Sequence, residues 1–348
     1  MLIRLSRLAA RPWARLALLA VVLCCCGYRL HAQWPQVTSA LDRMHWYSIG
    51  VSIAAAVAGS TCMMLAWRAV LADLGSALPV RIAGRINFTA QLGKYVPGAV
   101  WAFAAQVELG HDYQVPRRRS FASVVVSLAV TVGVGLGLAL VMLPAASPEI
   151  ARHYWWALAV LPLVIVALCP PALGTLLDRM LAVLHRAPLE RRPSFPGLAR
   201  AAAWNLAGWL MLGLQVWVLL PGIAGLHGST LLLCIGGYAL AFSVGLLLVV
   251  LPSGIGARDL ILIAALATLL PYGSASAIAI MTRVGTTITD LALGAVGIAL
   301  GHEALRPAAP AAANGPSEAL RPAAPAAANG PSEALRPAAT AAANGPFS

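Results

Sequence analysis

The side chains able to do chemistry concentrate in two short stretches, GKYVPG at 93–98 and LPSGIGARD at 251–259. Lys94 is the only lysine, and the other 23 of the 24 basic residues are arginine. Each stretch sets a cation, Lys94 or Arg258, beside proline and glycine within an apolar run. Gly93, Pro97 and Gly98 interrupt the first run; Pro252, Gly254 and Gly256 interrupt the second. Proline removes a backbone donor and glycine weakens a helix, so both runs are expected to break. A half-helix starting at such a break presents free N–H groups and a positive dipole end, which suits an anion such as phosphate. Paired interruptions of this kind point to binding sites in transporters. The plainer reading stays open: kinks or interfacial turns whose cations reach up to headgroups.

Other polar residues fall within apolar runs. Tyr95 is grouped with Lys94 as a headgroup contact, and Asn87, seven residues earlier, shares its face if that segment is helical. Arg283 and Asp290 share a face of the last run, where they pair with each other or with Arg258 and Asp259 and gate a cavity. Glu108 closes the first broken segment and joins this set of gating or ion-pairing residues. Asn205 and Gln215 read as polar links between helices.

Catalytic signatures are missing. The sequence has no DxD, GxxxxGK[ST], HExxH or GxSxG. The six cysteines show no metal or redox spacing, so no cofactor or metal is expected, and no covalent catalysis.

Composition dictates what must hold these residues. Hydrophobic residues make up 60% of the 348 and charged residues 10%, with a mean hydropathy of +0.80. A soluble chain of this size cannot hide so much apolar surface. Runs such as FASVVVSLAVTVGVGLGLALVML reach the ~20 residues needed to cross a bilayer as a helix. The expectation is an all-α polytopic membrane protein in a two-half arrangement. Spans are expected at about 15–31, 47–68, 120–143, 154–169, 201–220, 230–251, 258–272 and 276–300, eight in all. A ninth run, 86–108, contains Lys94. The net charge of +12 comes from arginines at the ends of apolar runs, not from a basic stripe in a soluble domain, so nucleic acid is not expected as a partner.

Arginine positions assign sides. Arg4, Arg7, Arg11 and Arg15 place the amino terminus, with its basic stretch 1–14, in the cytoplasm. If 86–108 crossed fully, Arg117, Arg118 and Arg119 would lie outside. If it dips in and returns, they stay inside, together with Arg179, Arg186, Arg191, Arg192 and Arg200. Charge favours the re-entrant choice, with a second broken segment near 252–272 and an amphipathic cytoplasmic helix within 171–199 that sets Leu176, Leu177, Met180, Leu181 and Leu184 on one side. The membrane domain is expected over 15–301. Residues 302–348 form a flexible tail built from three copies of a fifteen-residue Ala/Pro repeat, also cytoplasmic.

Asn87, GKYVPGAVW with its basic loop, LPSGIGARDLIL and Arg283 together resemble the lysylphosphatidylglycerol synthase transmembrane-region family over most of residues 10–300. The resemblance implies a flippase-like protein of the inner membrane that handles a phospholipid, polyprenyl-phosphate or glycolipid during envelope biogenesis. Members that make the lysyl-lipid carry a soluble aminoacyl-transfer domain after the membrane part. Here the repeat tail follows, so that activity is not carried over. The chain has Ala99, Ser127 and Asp259 where the family often has a basic residue and two glutamates. Two other functions remain open: a non-transporting scaffold that binds envelope-synthesis enzymes, and a glycosyltransferase using a lipid-phosphate donor.

Overall fold

The computed structural model describes residues 35, 38, 39, 42, 45–95, 101–183, 189–220, 228–247 and 256–304. The first expected span, the basic amino terminus, Pro97, Gly98, Pro252, Gly254 and the tail beyond 304 lie outside the described residues. The described residues belong to one compact unit, which ends at Leu305.

Among the described residues the secondary structure is helical, with no strand. The α-helices in chain order are α1 (Trp46–Asp73), α2 (Val80–Gln91), α3 (Trp101–His111), α4 (Arg117–Ala146), α5 (Pro148–Tyr154), α6 (Leu161–Ala167), α7 (Pro170–Val183), α8 (Phe195–Trp217), α9 (Gly228–Leu247), α10 (Ala257–Leu266) and α11 (Tyr272–Ala304). Single 3-10 segments follow α2 (Leu92–Tyr95) and α5 (Trp155–Val160). Four helices are long and apolar enough to cross a membrane: α1, α4, α9 and α11. A bent pair, Trp155–Ala167 with Pro170–Val183, raises the number to five among the described residues. α8, 23 residues long, is not among them; it carries Arg200, Asn205 and Gln215.

Two expected spans are corrected. The run 154–169 is not one α-helix: it holds the 3-10 segment Trp155–Val160 and the seven-residue α6, and this part meets α7 at 68°. Pro162 stands at the start of α6, and Pro170 and Pro171 at the start of α7, where a missing backbone donor is tolerated and a continuous helix cannot run through. The run 258–272 holds only the ten-residue α10, about 15 Å of helix against the ~30 Å of a hydrocarbon core. The surface helix expected within 171–199 also needs adjustment. α7 buries Leu173, Gly174, Leu177 and Leu181 and leaves Leu176 exposed, so its packed stripe is rotated from the expected one. Leu173 and Leu177 join Val126 and Val130 of α4 and Leu198 of α8 in one core cluster.

α1 lies along α8, and the crossing is tight where Gly59 and Gly208 face one another. α9 packs against α4, α8 and α10. Trp209, Tyr238 and Leu266, all fully buried, lie in the largest core cluster. Polar links join the helices. Thr131 donates to Asn205 Oδ1 at 2.9 Å between α4 and α8. Gln215 donates to the Thr282 carbonyl at 3.1 Å between α8 and α11.

α2 and α3 form a hairpin. Near the open end Arg85 donates to the Tyr113 hydroxyl and sits 5.3 Å from its ring centre. Near the tip a Cβ added to Gly93 would lie 2.9 Å from the backbone nitrogen of Ala102. The two helices therefore run antiparallel, and α2, with 12 residues, extends only about 18 Å. The chain re-emerges at the end where it entered. Arg119, in the first turn of α4, donates to the Gly75 carbonyl at 3.0 Å and Ser76 Oγ at 2.8 Å, both in the loop before α2. The same end gathers Glu190, 2.9 Å from Arg119, and Ser194, whose N–H donates to Asp73 at 2.7 Å.

Candidate functional site

α11 is the ruler of the site. Arg283 and Asp290 stand seven residues apart on one of its faces, two turns or about 10 Å along the axis. Each holds a different broken segment. Lys94, in the 3-10 turn that ends the first arm of the hairpin, brings Nζ to 2.6 Å from Asp290 Oδ2. Tyr95 donates its hydroxyl to the same oxygen at 2.8 Å, and the Lys94 ammonium stands 5.6 Å from the Tyr95 ring centre. Close packing permits this: a Cβ on Gly294 of α11 would fall 2.6 Å from the Leu92 side chain.

The second segment is fixed two turns away. Arg283 Nη1 donates to both carboxylate oxygens of Asp259, at 3.3 and 3.2 Å. Asp259 lies in the first turn of α10 and also accepts the Gly256 N–H at 3.4 Å. Gly256 has φ +94°, a left-handed conformation that favours glycine, and it lets the chain turn sharply into α10. Arg283 and Asp290 therefore take partners from two different segments instead of pairing with each other.

Arg258 is held differently. Its guanidinium carbon stands 4.7 Å from the Tyr238 ring centre and 4.8 Å from that of Phe242, and it donates to the Tyr238 hydroxyl. Those two aromatics are four apart on α9 and so share a face. Gly245, one further turn along, leaves room for Arg258: a Cβ there would meet the Arg258 Cβ at 3.0 Å.

These groups belong to one electrostatic neighbourhood. The charges of Arg258 and Arg283 act on Lys94, and those of Arg258, Arg283, Asp259 and Asp290 act on Tyr238. Ions within an apolar helical assembly are costly unless paired, which the two salt bridges achieve. They are not sealed in. The side chains are exposed by 33% for Lys94, 13% for Asp290, 28% for Arg283 and 27% for Asp259.

The remaining predicted residues fall elsewhere or deeper. Asn87 is buried on α2. Gly93 serves the closure of the hairpin, and Gly256 the start of α10. Glu108 does form an ion pair, but with Arg117 at 2.7 Å on an exposed face. Glu108 lies on α3, which is not among the spanning helices, and that hydrogen bond holds its carboxyl below its ordinary range. The charges that bear on it are those of Arg117 and His111, not those of the cluster on α11. Among the described residues no group of three His, Cys, Asp or Glu is placed to hold a metal ion.

Tyr238 and Phe242 were not foreseen from sequence. The available signal was GGYALAF, a tyrosine inside an apolar helix whose hydroxyl needs a partner, with a second aromatic one turn on.

With this geometry in hand, comparison with known families gives one finding. The model of the family described as Lysylphosphatidylglycerol synthase TM region matches residues 13–294. Comparison with curated proteins returned no match.

Proposed function

The chain belongs to the lysylphosphatidylglycerol synthase TM-region family, and we propose that it is a lipid translocase that binds a phosphate-bearing headgroup between its two broken segments. One observation carries the reading: Lys94 and Asp259, from segments far apart in sequence, are both clamped to one face of α11. In this mechanism Lys94 and Arg258 supply positive charge toward the phosphate, with Tyr95 beside them. The Arg283–Asp259 and Lys94–Asp290 bridges hold the two segments together and part as the headgroup passes. No covalent step is required. Membrane lipids are the partners, and the protein works in the inner membrane with both termini in the cytoplasm, the arrangement that the arginine distribution favours.

Headgroup accessibility in proteoliposomes tests this. Native protein is expected to equilibrate a labelled anionic phospholipid between leaflets, and Lys94→Ala to slow that transfer. Equal transfer by the two proteins removes Lys94 from the mechanism. No transfer by native protein, together with co-purification of a synthase, replaces translocation with scaffolding.

A further inference from the structure

We infer that the site recognises a phosphodiester bearing a single negative charge, and that Arg258 is the cation that meets it. This rests on the translocase reading and narrows it to a charge class of substrate.

Charge balance is the ground for it. The cluster contains three cations, Lys94, Arg258 and Arg283, and two carboxylates, Asp259 and Asp290. Lys94 is neutralised by Asp290 at 2.6 Å and Arg283 by Asp259 at 3.2 Å. Among the described residues Arg258 has no carboxylate within ion-pair distance; its partners there are the Tyr238 hydroxyl and two aromatic faces. Counted over the described residues, the cluster thus carries one unbalanced positive charge.

Low polarity makes that single charge matter. A group of charges among apolar helices is disfavoured in proportion to its net charge, so the bound state is best when cluster and ligand sum to zero. A phosphodiester supplies one negative charge. A phosphomonoester carries about −1.5 to −2 at pH 7 and would leave the complex negative; a diphosphate exceeds that.

The aromatic setting suits Arg258 to this task. Ring faces attract a guanidinium without removing its charge, and they hold its plane in one orientation. Among the described residues its hydrogen-bond acceptor is the Tyr238 hydroxyl, which leaves a planar fork of N–H groups for two phosphate oxygens.

Ligand-induced thermal stabilisation of the purified full-length protein in detergent is the test, with four short-chain probes: dihexanoyl phosphatidylglycerol, dihexanoyl phosphatidate, farnesyl diphosphate and dihexanoyl phosphatidylcholine. The phosphodiester anion phosphatidylglycerol is expected to stabilise at concentrations about tenfold or more below the others, the scale of one charge-assisted hydrogen bond. Arg258→Gln is expected to lose that advantage. Arg258→Lys, which keeps the charge but not the fork, is expected to retain the preference with weaker binding, and it serves if the glutamine variant does not fold. Asp259→Asn raises the balance by one and is expected to move the preference toward phosphatidate. Tighter binding of phosphatidate or farnesyl diphosphate to native protein overturns the inference, as does a phosphatidylglycerol preference that survives Arg258→Gln. Binding as expected without leaflet transfer in proteoliposomes overturns the translocase reading instead and leaves the charge assignment standing.

Discussion

Asp290 Oδ2 accepts from Lys94 Nζ at 2.6 Å and from the Tyr95 hydroxyl at 2.8 Å, so one oxygen of α11 anchors the end of a turn formed some 195 residues earlier. The lone lysine of the chain is therefore not stranded in an apolar run. It closes a clamp between the first broken segment and the last helix.

The clamp has a measurable coupling. Lys94→Met leaves Asp290, only 13% exposed, without its charge partner, and Asp290→Leu does the same to Lys94. Each single variant is expected to lower the unfolding temperature in detergent more than the double variant does. The coupling energy is expected near 1–2 kcal/mol, below the ~3–5 kcal/mol lost when one partner of a fully buried pair is removed, because a third of the Lys94 side chain is accessible. Additive losses would show that the bridge contributes nothing to the fold.

Gly93 sets how closely the hairpin arms meet. A Cβ there would lie 2.9 Å from the Ala102 backbone nitrogen and 3.0 Å from its Cα, atoms that cannot swing aside as a side-chain tip can. Gly93→Ala is expected to cost about 1–3 kcal/mol and to displace Lys94 from Asp290. Gly50→Ala in α1 is the control, since nothing lies within 4 Å of its added Cβ. It is expected to be neutral or to stabilise by up to about 1 kcal/mol. Equal unfolding midpoints for the two variants would contradict the close approach.

The Glu108–Arg117 bridge predicts a pH dependence of definite sign. Arg117 lowers the carboxyl pKa of Glu108 in the folded state. Its contribution is therefore fully present above the unfolded glutamate value, about 4.3, and is lost as pH falls through the lower folded value. Glu108→Gln is expected to remove that part of the acid dependence of the unfolding midpoint. Lipid transfer at neutral pH should stay at the native level, because the pair stands apart from the cluster on α11.

Arrangement of the loops predicts a labelling pattern. Single cysteines at Ser76 and Arg191, in a background without native cysteines, are expected to react with an impermeant reagent from the same side of the membrane. Arg119 bonds both Gly75 and Ser76 and reaches Glu190 next to Arg191. A cysteine at Arg152, beyond the far end of the 30-residue α4, is expected to react from the opposite side. Labelling of Ser76 and Arg191 from different sides would rule out the hairpin as a segment that returns to its point of entry.

Much of the architecture was legible in the residues. Apolar runs of span length force helices, because a backbone in lipid must satisfy itself. Proline and glycine beside Lys94 and Arg258 marked where helices stop, and the arginine count favoured keeping Arg117, Arg118 and Arg119 on the side from which the segment 86–108 departs. Less legible was the run 154–169, where hydropathy sums to a span while Pro162, Pro170 and Pro171 divide the chain into short helical pieces and the part 155–167 meets 170–183 at 68°. Mean hydropathy is blind to where a lost backbone donor falls.

Sequence by itself determined that this is a helical membrane protein with two interrupted, cation-bearing segments, since length, apolarity and helix-breaking residues act locally along the chain. Only the tertiary structure decided that Asp290 takes Lys94 and Tyr95, that Arg283 takes Asp259, and that Tyr238 and Phe242 cradle Arg258. Spacing along α11 puts Arg283 and Asp290 on one face but cannot say what faces them. Partner choice depends on which helices approach within a few ångströms, and here glycines such as Gly245 and Gly294 allow that approach.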